Sequence, residues 1–593
     1  MSSSSITTFL CVEAGGRVFK GKSSGFCNEA IDYVRQVCYV TLAFPVNSLF
    51  LLGLGPESPS LTEKKQILKS ASIISLATII SRVLGYVRDQ RISFLLGTTP
   101  LADAFVLAYA IPNLFRRLIG EGTTAAAFVP FFTSHMRERS KEELWTFANR
   151  FFWTLALVLA LATVLGVIFS PQVIHTFNFS ASESADWNEA TALNRIIFPY
   201  IFFVGLAALG MGILNSFHHF ALPASTTAFF NLCVIIFSTG MVWHYFRNPA
   251  VSLAVGVLVG GAIQFLVLVP QLVRKGMRFD FGISFTDPGI RTVARLAIPR
   301  FFGMGIAQIN FFVDIFFARA PQMPRGSVAA LYISDRMMEL VLGGYAIAVA
   351  TVILPMMSHQ AAANDYEGLK RTLTFALRIV AYITIPAAVG LMILREPIIR
   401  VLFQHGRFVA ESTRLTARPL LYYAAGLPAL ACVKLVVPAF YSARDTKTPV
   451  IVASISFVLN IVLNFVFLHY FFRRFQNGGP ALATVLATLF DFFTLLFIFR
   501  IRYGALGTLE IFRSIGKISL CAAIMGVGCI IANYYTSFTQ HSDLFVQVSV
   551  FVAMISGATL LYLGLTWVFK CPEIEEVYGI AMRRETPEGL AAS

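Results

Sequence analysis

Charge is what this sequence has least of. Asp, Glu, Lys and Arg make up 13% of its 593 residues, about half their share in soluble domains. Hydrophobic residues reach 56%, and mean hydropathy is +0.70. A soluble globular protein is excluded. So are disordered and collagen-like chains, because the apolar residues run in blocks of roughly twenty, the length that crosses a bilayer core. The eight cysteines (Cys11, Cys27, Cys38, Cys233, Cys432, Cys521, Cys529 and Cys571) are scattered, with no C-x-x-C pair and no histidine at ligand spacing. Neither a disulfide framework nor a metal site follows from them. No G-x-x-x-x-G-K-[ST] loop is present, so the chain is not expected to hydrolyse ATP. No Ser-His-Asp set or paired carboxylates point to covalent catalysis. The adjacent His218 and His219 read as an interfacial polar pair in a turn.

What is present is an all-α polytopic membrane protein. From Lys69 onward, about fourteen apolar blocks break at Pro, Gly or charge clusters. They run over 70–96, 102–134, 143–171, 190–217, 222–246, 251–274, 291–319, 327–358, 370–394, 412–443, 448–472, 480–502, 509–535 and 543–569. An even number leaves both ends on one side. The net charge of +15, which in a soluble chain would suggest nucleic acid, is explained here by basic residues that retain cytoplasmic loops, and no nucleic-acid partner is expected. With both ends inside, those loops hold Arg137, Arg139, Lys141, Lys275, Arg278, Lys370, Arg371, Arg444, Lys447 and Arg502, and the tail holds Lys570, Arg583 and Arg584. One outside loop, with Arg395, Arg400, Arg407 and Arg414, runs against the rule. Residues 1–65 are Ser- and Gly-rich, and their one apolar run, Tyr39 to Leu54, is short for a span and holds a Pro and an Asn. They read as a flexible N-terminal extension or a start codon placed too early, not as a signal peptide.

Two stretches look alike. Tyr109-Ala-Ile-Pro followed by Val129-Pro130 and Ser134-His135 has a counterpart in Tyr332-Ile-Ser-Asp followed by Leu354-Pro355 and Ser358-His359. Pro199, Gly205, Phe217 and Pro223 are similarly echoed by Pro419, Gly426, Phe440 and Pro449. The chain therefore reads as two parallel six-helix lobes around a central cavity plus two C-terminal helices, a transporter plan with its site between the lobes. The expected divisions are residues 1–65, 66–275 for the first lobe, 276–505 for the second, 506–570 for the last two helices and 571–593 for a cytoplasmic tail.

Charges inside spans are costly when they face lipid, and here they cluster. Arg82, Arg88 and Asp89 fall in the first span, Arg116, Arg117 and Glu121 in the second, and Asp335, Arg336 and Glu339 in the eighth. Helical spacing puts Arg82 with Asp89 and Arg117 with Glu121 on shared faces, so some are expected to pair internally. If these spans surround one cavity, Arg82, Arg88, Arg116 and Arg336 converge there, and guanidinium forks suit phosphate or pyrophosphate. Asp314 in the seventh span, Asn460 with Asn464 in the eleventh, and Thr484 or Thr488 in the twelfth supply oxygen ligands for a candidate monovalent-cation site.

Three stretches carry a family resemblance. They are Ser81-Arg-Val-Leu-Gly-Tyr-Val-Arg-Asp89; Asp103-Ala-Phe105 through Ile111-Pro112-Asn113-Leu-Phe-Arg-Arg117 and Glu121-Gly122 to Phe128-Val-Pro130; and Phe440-Tyr-Ser-Ala-Arg-Asp-Thr-Lys-Thr-Pro449. With Asp335-Arg336 and Phe403-Gln-His-Gly-Arg-Phe408 they resemble the MurJ (MviN) family of lipid II flippases over residues 65 to 570. The resemblance implies the multidrug/oligosaccharidyl-lipid/polysaccharide exporter fold. It also implies a transporter, not an enzyme, that carries undecaprenyl-pyrophosphate-linked peptidoglycan precursor across the bacterial cytoplasmic (inner) membrane for cell wall synthesis. Arg82, Arg88, Arg116 and Arg336, with Asp103 and Glu121 at motif positions, would hold the head group, and the last two helices would form a groove for the lipid tail. By the same resemblance Asp314, Asn460, Asn464 and Thr488 match a sodium site of some members, although Asn464 stands where a second carboxylate can occur. The implied partners are lipid II and membrane lipids, with a monomer as the working unit and no cofactor. Coupling to Na+, H+ or membrane potential is left open. The other readings are a flippase for a different polyprenyl-linked oligosaccharide, a cation-coupled drug exporter, for which inward arginines are unsuited, and a glycan-polymerising enzyme, for which no catalytic cluster is found.

Overall fold

Every regular element among the described residues is helical, as bilayer burial of backbone polar groups requires. The computed structural model describes residues 61–118, 124–177, 184–536 and 544–574. The N-terminal apolar run and Glu121 lie outside these. The first half of the chain forms α1 (Leu61–Leu96), α2 (Pro100–Leu118), α3 (Thr124–Glu138), α4 (Lys141–Ile168), α5 (Ser170–His175), α6 (Ser184–Ile197), α7 (Tyr200–Ser216), α8 (Ala221–Phe237), α9 (Gly240–Trp243), α10 (Pro249–Leu266) and α11 (Val269–Lys275). The second half forms α12 (Pro288–Ala318), α13 (Ser327–Ala362), α14 (Tyr366–Ile393), α15 (Arg395–Phe403), α16 (Ala410–Ser442), α17 (Lys447–His469), α18 (Phe472–Phe475), α19 (Gly479–Tyr503), α20 (Thr508–Tyr535) and α21 (Leu544–Val568). Among the described residues nine helices are long and apolar enough to cross a membrane; the protein is a multi-pass membrane protein. The long helices α1, α12 and α13, of 36, 31 and 36 residues, also match expected spans.

Helix starts follow local chemistry. The Ser140, Asn248, Asp287 and Asp365 side chains accept backbone N–H bonds at the starts of α4, α10, α12 and α14, satisfying donors that have no partner within the helix. Several expected spans are interrupted. The second is described as α2 and α3, with residues 119–123 between them outside the described residues. The fourth breaks between α6 and α7 at Phe198–Pro199, and the sixth before Pro270, because proline has no N–H for the helical ladder.

Prolines inside helices have a second effect. A proline at position i leaves the carbonyl at i−4 without its donor, and three such carbonyls are taken by buried side chains from elsewhere. Asn194 Nδ2 donates to Ala108 O at 3.0 Å, opposite Pro112. Tyr562 Oη donates to Tyr382 O at 2.8 Å, opposite Pro386. Asn477 Nδ2 donates to Leu415 O at 2.7 Å, opposite Pro419.

In the first half α1 packs on α8, α8 on α10, α2 on α6 and α3 on α7; in the second, α16 packs on α13, α14 and α19, and α17 on α19. The halves meet where α2 touches α13, α3 touches α12 and α1 touches α15. A separate apolar cluster, including Ile398, Phe403, Ile518, Met525 and Phe551, joins α15, α20 and α21. The exposed Phe512, Val527 and Leu560 give α20 and α21 an outward apolar face, where lipid would lie.

Candidate functional site

The first span places its charges at two depths. Arg82 and Arg88 are six residues apart on α1, about 9 Å along its axis. Arg88 is tied on three sides. Its Nε and Nη2 donate to Asp89 Oδ1 at 2.9 and 2.6 Å, its Nη1 donates to Asn231 Oδ1 at 3.0 Å, and its guanidinium carbon lies 5.8 Å from the centre of the Phe230 ring. Asn231 is itself fixed by donating to Ser81 O. Asp89 also faces the second half, with Oδ2 at 3.9 Å from Arg336 Nε. Arg336 packs over the Tyr332 ring and pairs with Glu339 at 2.5 Å, and Glu339 receives Arg117 Nη2 at 3.2 Å. Arg117 Nη1 donates to Gln308 at 3.0 Å. The result is one chain of alternating charge, Arg88–Asp89–Arg336–Glu339–Arg117, running from α1 through α13 to α2. Asp89 of the first half thus faces Arg336 of the second, and Glu339 of the second receives Arg117 of the first. Beside the chain lies a narrow apolar cleft bordered by Arg88, Phe105, Tyr109, Phe230 and Tyr332.

Several expected positions move. Arg82 does not pair with Asp89; it crosses to the second half and donates to Gly343 O at 2.8 Å. Asp89 instead serves Arg88 and Arg336, which are nearer to it. Arg117, expected to pair with Glu121, pairs with Glu339, and Glu121 lies outside the described residues. Arg116 donates to Asn113 Oδ1 of its own helix at 2.9 Å. Asn231 and Phe230 were not foreseen; the only signal was an amide inside an apolar run. Tyr109 and Tyr332, read as markers of the internal repeat, meet at the cleft.

Asp103 is not at this depth. Its Oδ2 accepts Gly326 N–H and its Oδ1 accepts Ala329 N–H, both at 2.8 Å, so the carboxylate caps the start of α13, where unpaired amides and the helix dipole favour an anion. Around it the halves are joined further. Thr98 Oγ1 donates to Ser412 Oγ at 2.7 Å, Gln90 Nε2 to Leu402 O at 3.0 Å, and Arg407 N–H to Phe94 O at 2.9 Å. The Arg319 guanidinium lies 4.1 Å from the centre of the Trp187 ring. Gly326 has φ +85°, and a Cβ there would meet Thr98 O at 2.0 Å, so only glycine allows this close approach. One end of the bundle is closed by these contacts.

The candidate cation residues do come together, with one exchange. Asp314 Oδ1 accepts Asn464 Nδ2 at 3.2 Å and its Oδ2 accepts Thr484 Oγ1 at 2.7 Å; Asn460 Nδ2 donates to Thr484 Oγ1 at 2.9 Å. Thr488 instead donates to Thr484 O within its own helix. Asp314, Asn460 and Asn464 are buried, and Asn464 Oδ1 is a buried oxygen with no hydrogen-bond partner. A carboxylate, two amide oxygens and a hydroxyl are hard donors that fit a monovalent cation. Among the described residues no group of three His, Cys, Asp or Glu side chains could hold a metal.

At the opposite end of the bundle from Asp103, Asp445 organises the Phe440–Pro449 turn. It accepts Lys447 N, Thr448 N and Thr448 Oγ1, at 3.2, 3.0 and 2.7 Å, and pairs with Arg502. Burial works against the charged form, but the Thr448 hydroxyl, these amides and the Arg502 guanidinium outweigh it and hold the carboxyl below its usual range.

Comparison with known proteins supplies independent findings. The family model described as lipid II flippase MurJ matches residues 92–551. A probable lipid II flippase MurJ of Vibrio cholerae is 37% identical over 423 residues, covering 69% of this chain and 79% of that protein. One of Bdellovibrio bacteriovorus is 30% identical over 518 residues, covering 87% and 97%. Among solved structures, a lipid II flippase MurJ in an inward closed conformation matches with TM-score 0.68 and 28% identity, over 84% of this chain and 98% of that one. An inward-facing multidrug resistance MATE family transporter of the MOP superfamily matches with TM-score 0.59 at 15% identity, over 72% and 96%, a likeness of fold alone.

Proposed function

Since this chain belongs to the MurJ family and is a lipid II flippase, we propose that it moves its substrate by alternating access between two six-helix lobes, with fourteen spans and both ends in the cytoplasm. In this reading the end closed around Asp103 faces outward, and the head group enters from the cytoplasmic leaflet. The protein moves a lipid and breaks no bond.

The observation that carries the reading is the chain of charge from Arg88 to Arg117, which ties α1, α2 and α13 across the two halves. In the absence of substrate, Asp89 and Glu339 neutralise the guanidinium forks. The pyrophosphate of lipid II can take over the same N–H donors of Arg88 and Arg336, with Arg82 and Arg116 as further contacts. Substrate thereby replaces contacts that join the halves, and binding energy is converted into a changed preference between inward and outward states. Asp103 and Glu121 act at the margins of this site, Asp103 by holding the outer end shut.

The undecaprenyl tail stays in the bilayer along α20 and α21, because dragging it through a charged cavity would carry a large desolvation cost for the arginines. Asp314, Asn460, Asn464 and Thr484 would hold a coupling cation such as Na+. Such an ion supplies a positive charge that offsets the buried Asp314 carboxylate. Working as a monomer in the bacterial cytoplasmic membrane is part of the same proposal.

The test is complementation in bacteria depleted of their own lipid II flippase. The chain from residue 62 onward, given a start Met, is compared with its Arg88→Ala and Arg336→Ala variants at equal membrane abundance. Rescue by the parent with loss in both variants is expected; rescue undiminished by either substitution would refute the arginine-centred mechanism.

A further inference from the structure

The outward-facing end carries arginines that the mechanism above does not use. Arg400 lies on α15, Arg407 in the following turn, Arg414 and Arg418 at the start of α16, and Arg473 and Arg474 on α18. Hydrogen bonds gather these separate segments around the first turns of α16. Gln404 Oε1 accepts both Arg400 Nε, at 3.4 Å, and Thr413 Oγ1, at 2.8 Å. Arg418 donates to Gln476, and Asn477 donates to Leu415 O. Arg407, Arg414, Arg473 and Arg474 are exposed, and Arg400 Nη1 is buried with no hydrogen-bond partner. Among the described residues none of the six is ion-paired, and the nearest carboxylates in sequence, Glu396 and Glu411, point to solvent.

This patch is costly to maintain. Basic residues are depleted from outward loops because they oppose translocation, so unpaired ones there call for a reason. The choice of residue narrows it. No lysine occurs between Lys370 and Lys434 or between Lys447 and Lys517; every cation in the patch is a planar guanidinium, the group that matches phosphate oxygens bidentately. Placement narrows it further. Arg407 N–H bonds Phe94 O, so the patch adjoins the contacts that must part for release. The helix bearing Arg400, α15, packs on α1 at that closure and on α21, beside which the tail is proposed to run.

We propose that this arginine patch is a second anion site, which receives the diphosphate of the lipid as it emerges at the outer rim. The inference rests on the flippase reading and its orientation, and deepens both. A site on the exit side gives the head group a next set of donors once the central arginines return to Asp89 and Glu339, so release occurs in two shorter steps. The shared chemistry with phosphatidylglycerol, a bulk anionic lipid, is what the test separates.

The full chain in nanodiscs of zwitterionic lipid is titrated calorimetrically with farnesyl diphosphate. The parent is compared with Arg407→Gln/Arg414→Gln, with the conservative Arg407→Lys/Arg414→Lys, and with Arg88→Gln. Two classes of site are expected in the parent. The glutamine pair weakens one class at least tenfold and keeps the other, which also reports that the protein is folded; the lysine pair weakens it less, and Arg88→Gln affects only the other class. Unchanged binding in the glutamine pair overturns the proposal, as does loss of the outer class when phosphatidylglycerol is added to the discs. Arg88→Gln without effect on either class counts against the central arginine site and leaves the outer patch standing.

Discussion

Replacing Asp103 by Ala removes the carboxylate that receives two N–H groups from the start of α13 at 2.8 Å each. A helix cap is typically worth about 1 kcal/mol and up to ~2, and an anion at a helix N-terminus adds roughly 0.3–1 kcal/mol. The two N–H donors lie 223 and 226 positions away in the chain, so the loss of these bonds falls on the closed arrangement of the two halves and not on either half alone. A loss of about 2 kcal/mol is roughly a 30-fold change in the open-to-closed ratio. Asp103→Asn, which keeps one acceptor and no charge, is expected to shift it about half as far on the free-energy scale. The assay is electron–electron distance measurement in nanodiscs between spin labels at His175 and Glu411, exposed positions at this end in the first and second half. The expected result is a longer-distance population that grows from parent to Asp103→Asn to Asp103→Ala. An identical distance distribution in all three would refute the view that this carboxylate holds the end shut.

Gly326→Ala is expected to act in the same direction, because an alanine at φ +85° is strained and its Cβ would meet Thr98 O at 2.0 Å. Combined with Asp103→Ala in the same distance measurement, its effect should fall short of additive, since both act on one contact. Thr484→Val leaves Asp314 Oδ2 without the 2.7 Å hydroxyl bond and should cost about 1–3 kcal/mol in denaturation experiments. It should also abolish stabilisation by sodium, whereas Thr488→Val, whose hydroxyl bonds only its own helix, should retain it. Asp445 has a folded-state pKa below its unfolded value, so its contribution is present above about pH 3.9 and is lost as pH falls through the depressed folded value. Thermal melts across that range should show a shallower acid-side decline for Asp445→Asn; parallel declines would count against it.

Much of the helical plan was legible because apolar length and proline position are local signals. The starts of α10 and α12 fall at Asn-Pro and Asp-Pro, whereas the breaks before Pro199 and Pro270 fall inside spans expected to run unbroken, although the ladder must lose a donor there. The pairing of charges was not legible. Helical spacing offered Arg82 for Asp89 and Glu121 for Arg117, yet Asp89 binds its neighbour Arg88 and also faces Arg336, and Arg117 pairs with Glu339; both second-half residues lie beyond residue 330 and are brought near by the packing of the two halves. Thr484 and Thr488 lie one turn apart on one helix face, and only the rotation of α19 against α12 and α17 decides which reaches Asp314. Asp103 was grouped with the arginines because it shares their motif; its role depends on where α13 begins.

The proline sockets bear on how sequences of this kind can vary. Pro112 with Asn194, Pro386 with Tyr562 and Pro419 with Asn477 are each a carbonyl without a donor matched to a donor without another acceptor. An alanine in place of the proline would return the carbonyl to its own helix and strand a buried amide or hydroxyl. A leucine in place of the partner would strand the carbonyl. Each pair should therefore change as a unit: single steps away from it pass through a less stable intermediate, and related sequences that lose the proline should be those in which the partner has also become apolar.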